Sequence, residues 1–219
     1  MNLLFAITLC FQSETAEETF RRVEETLAKA KTLSIQYRVE LAMGDQKMSA
    51  TGSVLIKEGN RLKITLATTV PKQEASAASD GTTVRCLPPR PSTPEVEWPV
   101  PAALNADVTV FLLRSGCFEL HRVPSRMHFN EMKPKETLLV SDLRKGEDDG
   151  GLRTLTFTLR ENQGRGEVKV WIDSKTWTLK RRVMSVETAP GKTSTVTENY
   201  DTFKVNGEIP DHAFALPPK

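Results

Sequence analysis

Residues 33–41 read LSIQYRVEL, in which Leu33, Ile35, Tyr37, Val39 and Leu41 alternate with Ser34, Gln36, Arg38 and Glu40. Side chains alternate between the two faces of a strand, so this stretch predicts a half-buried β-strand. Gly44-Asp45 marks a turn. SATGSVLIK, RLKITLA and TTVRC follow as further strands, parted by Glu58-Gly59-Asn60 and Ser79-Asp80-Gly81, which carry turn chemistry. The second half returns to the same pattern with ETLLVSDL, LRTLTFTLR, EVKVWID, TWTLKRRVMSVE and STVTENYDTFKV. One segment has a different period. In SETAEETFRRVEETLAKAKT, residues 13–32, the apolar positions Ala16, Phe20, Val23, Leu27 and Ala30 recur at steps of four and three, the stripe of an amphipathic helix. Thr15 and Glu18 have the spacing of a capping box. NADVTVFLLRS, residues 105–115, predicts a short buried helix capped by Gly116, with a strand as the alternative. The proline-rich run 88–101 predicts a loop or cover segment. The sum is an α+β chain, mainly β. It is a strongly curved antiparallel sheet, or incomplete barrel, of roughly ten strands with helices covering its concave side.

The hairpin VKVWIDSKTWTLKRRV, residues 168–183, shows how the two faces of that sheet would differ. With Asp173 to Thr176 as its loop, Ile172 faces Trp177, Val170 faces Leu179 and Val168 faces Arg181, an apolar surface with one arginine. Lys169, Trp171, Thr178, Lys180 and Arg182 then lie on the opposite, wet face. Whatever covers the apolar face decides the function.

Length and charge narrow the field. The 219 residues suffice for one core, and residues 13–219 are expected to form a single domain. Thirty Lys and Arg against 28 Asp and Glu leave a net charge of +2, too balanced for a nucleic-acid face. The run Leu3 to Phe11 is far short of the roughly 20 residues that span a bilayer; it fits a short secretory signal peptide over residues 1–12, and an N-terminal strand is the competing reading. A periplasmic location is expected on the first reading. Cys86 and Cys117 are an even pair compatible with export; they are expected to form a disulfide, with two buried thiols as the alternative. His121 and His128 lack the spacing of a helical metal pair. There is no G-x-S-x-G, no phosphate loop and no dinucleotide turn. No catalytic residue, metal site or cofactor is assigned, and a binding role is expected rather than an enzymatic one.

Four segments, GSVLIKEGNRLKI, ASDGTTVRCLPP, VKVWIDSKTWTLKRRVMSV and ENYDTFKVNGEIPDHAFALPP, resemble in this order the periplasmic lipoprotein carrier LolA and its relatives. The tail Phe214-Ala215-Leu216-Pro217-Pro218 and the opening helix fit the same pattern. The resemblance implies an eleven-stranded incomplete barrel, closed by helices that act as a lid over an apolar cavity for lipid or lipoprotein acyl chains. The same fold also serves as a sensing module in RseB. On this resemblance the ligand-binding residues are Ile35, Tyr37, Val54, Ile56, Ile64, Phe111, Phe157, Val170, Ile172 and Leu179, and Phe20, Val23, Leu27, Lys57 and Glu58 belong to the lid or gate. A monomer is expected, with envelope membrane proteins as further partners. In the carriers, the strand beginning G-x-L/V ends in Lys-Arg-Pro-Asn, and its arginine holds the lid. Here the same place reads Lys57-Glu58-Gly59-Asn60, and a carboxylate has no donor to replace a guanidinium. The closing clamp is therefore expected to be absent unless Lys57 or Arg61 reaches over.

Overall fold

The computed structural model describes residues 14–69, 71–87, 96–120, 138–161 and 164–216. The N-terminal apolar run, His121, His128 and the final Pro217-Pro218 lie outside them. Helix α1, Ala16–Ala28, opens with the predicted capping box: the Glu18 amide donates to Thr15 Oγ1 at 3.2 Å, and the Thr15 amide donates to Glu18 Oε2 at 2.8 Å. It ends before the expected Thr32, because Thr32 is taken into the first strand opposite Lys57 and the Lys31 amide donates to Asn206 Oδ1. The stripe Ala16, Phe20, Val23 and Leu27 is buried, with Phe20 meeting the edge of Phe157 at 5.5 Å between ring centroids.

The strands are β1 Thr32–Met43, β2 Gln46–Lys57, β3 Arg61–Thr69, β4 Lys72–Asp80, β5 Thr83–Leu87, β6 Val96–Pro99, β7 Leu139–Lys145, β8 Leu152–Glu161, β9 Gly164–Asp173, β10 Thr178–Ala189 and β11 Lys192–Val205. They form one antiparallel sheet in the order β6-β5-β4-β3-β2-β1-β11-β10-β9-β8-β7. It is an open sheet, as the patterning predicts. Neighbouring strands are consecutive in the chain except β1 and β11, which meet in the middle of the sheet and join its first and last strands, while the consecutive β6 and β7 form the two edges. Helix α2, Leu104–Ser115, connects the two halves and ends at Gly116 as expected.

Three expectations are corrected. The proline-rich stretch contributes β6, because an edge strand tolerates Pro99 where a central strand would not. The loop of the 168–183 hairpin is displaced by one residue: Asp173 pairs with Thr178 and Ile172 with Leu179, and a bulge follows at Lys180. Cys86 and Cys117 are both free and buried, one in β5 and the other after α2, with no disulfide between them.

The Lys180 bulge changes which side chains enter the core. Beyond it Arg181 pairs with Trp171 and Arg182 with Val170, so Arg182 turns inward and Arg181 outward. A second irregularity, at Asp201, lets Tyr37 pair with Tyr200 after Gln36 has paired with Thr202. It turns Tyr200 and Glu198 inward beside Phe203. Two local insertions thus bring an arginine and a glutamate into register on β10 and β11, and both are 0% exposed.

Candidate functional site

The residues singled out in the sequence come together. Ile35, Tyr37, Val54, Ile56 and Ile64 from β1–β3 share one hydrophobic cluster with Phe157, Val170, Ile172 and Leu179 from β8–β10, with Phe111 of α2 and with Phe20, Val23 and Leu27 of α1. The cluster is tightly fitted at Gly52, where an added Cβ would stand 2.4 Å from Tyr37 Oη and 2.5 Å from the Thr65 carbonyl. Only a glycine lets the tyrosine ring lie across β2.

Residues of both helices and of β1 and β2 border a cleft of about 750 Å³. Leu27 and Ala28 of α1 form one wall, Ala106, Val110 and Leu113 of α2 the other, and Leu33 and Ile56 the floor. Glu24, Glu25, Lys29, Glu58 and Arg114 stand around it. An apolar floor with a charged rim in this volume range is the form of a small-molecule site. Of the residues expected to bind or gate, Leu27, Ile56 and Glu58 line this cleft, while Tyr37 and Phe157 border two other hollows.

Lys57 points elsewhere. Its Nζ donates to the Ile209 carbonyl at 2.9 Å and pairs with Asp211 at 2.6 Å, and Arg61 shares the same carboxylate at 2.7 Å. The Lys57 hydrogen bond leads the causes that hold the Asp211 carboxyl below its ordinary range. Both cations therefore fasten the C-terminal segment, whose 3-10 helix spans Asp211–Phe214, and neither reaches α2.

Helix α2 is instead fastened by residues outside the expected set. At its N-terminal end Asn60 Nδ2 donates to the Ala102 carbonyl at 3.1 Å, and Asn105 Nδ2 donates to the Lys57 carbonyl at 2.7 Å. At its C-terminal end the Glu198 carboxylate accepts from the amides of Cys117 at 3.0 Å and Phe118 at 2.8 Å, and from the Tyr200 hydroxyl. Arg182 Nη2 donates to the Arg114 carbonyl at 3.0 Å, placing a cation at the negative end of the helix dipole. Gly116, at φ +90°, runs so close to Glu198 that a Cβ there would stand 2.4 Å from Oε2. Burial raises the pKa of the Cys117 thiol and the Tyr200 phenol, and the neighbouring Glu198 charge adds to both shifts. Sequence patterning missed this cluster because it depends on the two bulges, which break the period of two and have no marker in the residues around Lys180 or Asp201.

No family model and no curated protein matches the chain. Among solved structures, the chain is similar to a LolA superfamily protein from Nitrosomonas europaea, at 12% identity and a TM-score of 0.41, covering 93% of this chain and 99% of that one. The likeness is one of fold. A MucA/MucB complex structure from Pseudomonas aeruginosa is similar at 11% identity and a TM-score of 0.47, over 92% of this chain and 61% of that chain. An outer membrane lipoprotein-sorting protein domain from Vibrio parahaemolyticus is similar at 9% identity and a TM-score of 0.37, over 91% and 95%.

Proposed function

We propose that this chain is a LolA-like protein of the cell envelope that holds an acyl chain, of a lipid or a lipoprotein, in the cleft between α1 and α2, as a non-enzymatic carrier or chaperone. The observation that carries this reading is the cleft itself: an apolar floor of Leu33 and Ile56 between two apolar helix walls, bordered by charged side chains that keep a polar end in water. Among the described residues, the large exposed hydrophobics are Met43 and Leu139, which are scattered and line no part of this cleft. Burial of a methylene is worth about 0.8 kcal/mol, so about twelve of them supply on the order of 10 kcal/mol before ordering costs. That is ample for reversible carriage. The reading places the mature chain in the periplasm, as a monomer, after removal of a short N-terminal leader.

Native mass spectrometry of the protein recovered from a membrane-containing lysate tests this, together with displacement of a fluorescent fatty-acyl probe. A bound mass in the lipid range and probe displacement by unlabelled acyl chains are expected. A bare chain that takes up no probe would overturn the reading in favour of a module that recognises a protein partner.

A further inference from the structure

Glu198 and Arg182 line no part of the cleft, yet the wall formed by α2 is referred to the sheet through them. The Glu198 carboxylate accepts from the two amides that follow the helix, and Arg182 donates to its last turn at the Arg114 carbonyl. The Arg114 side chain then crosses to α1, where Nη2 meets Glu24 Oε1 at 3.1 Å, and its Nη1 donates to the Leu138 carbonyl at 2.7 Å. A continuous set of polar contacts thus runs from the middle of the sheet to the far wall of the cleft. Both charged side chains at its root are fully buried, so water does not compete for their contacts. The fastening at the other end of α2, through Asn60 and Asn105, lies nearer the surface and is neutral.

We propose that Glu198 and Arg182 are positioning residues that set the separation of α1 from α2 and hence the residence time of whatever the cleft holds. This rests on the reading of the cleft as a ligand site. The carboxylate is essential to the role, because a carboxylate is acceptor-only and meets two backbone amides and a phenol at once, whereas an amide side chain turns a donor toward one of them.

The experiment measures amide hydrogen exchange across the ligand-free chain and the dissociation rate of the fluorescent acyl probe in Glu198→Gln, Glu198→Asp and Tyr200→Phe. In Glu198→Gln, exchange over residues 104–118 is expected to quicken at least tenfold while β1 and β2 keep their rates, with probe dissociation faster by a similar factor. Glu198→Asp recovers part of both effects. Tyr200→Phe removes one donor and gives a change of a few-fold, and it carries the test if Glu198→Gln does not fold. Exchange that is unchanged in α2, or raised evenly throughout the sheet, overturns the proposal. Normal probe binding with unaltered exchange in every variant sinks the positioning role and leaves the cleft reading standing. Localised exchange changes in a chain that binds no probe support the positioning role and sink the cleft reading.

Discussion

Arg182 and Glu198 are direct register partners on β10 and β11, and neither exposes any surface. The Glu198 oxygens are occupied by two backbone amides and the Tyr200 hydroxyl, while Arg182 Nε and Nη1 have no hydrogen-bond partner among the described residues. The opposite charges are therefore expected to interact through the low-dielectric interior rather than by a direct hydrogen bond. Removing one member of a buried charge pair costs about 3–5 kcal/mol, because the other is left uncompensated. Arg182→Met is expected to cost that much in urea unfolding. The double substitution with Glu198→Met should cost less than the sum of the single ones by more than about 1 kcal/mol. Additive losses would show that the two charges do not interact.

Gly116→Ala should be destabilising out of proportion to its size. The new Cβ would stand 2.4 Å from Glu198 Oε2, at a φ of +90° that an alanine rarely adopts. A loss of about 2–4 kcal/mol is expected by denaturant titration. Gly207→Ala, where nothing lies within 4 Å of the added atom, is the control and should be nearly silent.

The hairpin loop and the start of α1 are joined by an arginine pair over one indole. Arg22 and Arg153 stand 5.0 and 4.9 Å from the centre of the Trp177 ring, and both pair with Glu14. Trp177→Leu is expected to lower stability by about 1–2 kcal/mol through the loss of two cation–π contacts. Exchange should quicken first in the opening turn of α1, and an undisturbed first turn would count against the joint.

Much of this architecture is legible in the residues. The alternation of Leu33 to Leu41, the stripe of α1, the Thr15–Glu18 cap and the Gly116 stop all emerge where predicted, because each is a local rule that the tertiary structure reinforces. The hairpin register is not legible, since Asp173-Ser174-Lys175-Thr176-Trp177 supports two loop positions of equal chemistry. The structure selects the one in which Trp177 takes a left-handed φ of 54° and meets Arg22 and Arg153. Arg182 and Glu198 look like solvated strand residues in the sequence because a bulge is a tertiary choice. The apolar wall residues are legible as core, but the cleft depends on how two helices distant in sequence are set against each other, which no period records.

Acid should weaken the fold through its turn carboxylates. Asp80 Oδ1 accepts from the amides of Thr82 and Thr83 and from the Thr82 hydroxyl; the Thr83 amide is the leading cause that holds its pKa below the ordinary 3.8. A carboxyl depressed on folding contributes stability above its unfolded pKa and loses it as the pH falls through the folded one. The urea midpoint is expected to stay flat from neutral pH to about pH 5 and to fall below about pH 4. Asp80→Asn should make that fall shallower; an identical acid limb in the variant would contradict the assignment.

The central claim is that the cleft between α1 and α2 is where an acyl chain is held, and filling it with protein tests this most directly. Val110 lines the cleft from α2 and is half-buried, so Val110→Trp projects an indole into it with little demand on the core. Affinity for a fluorescent acyl probe is measured in the unmodified chain and in the variant, with thermal unfolding as the check on folding. The account predicts micromolar or tighter binding in the unmodified chain, and a loss of at least about tenfold, roughly 1.4 kcal/mol, in Val110→Trp at an unchanged unfolding temperature. Equal affinity in the two proteins, or no binding in either, would contradict it.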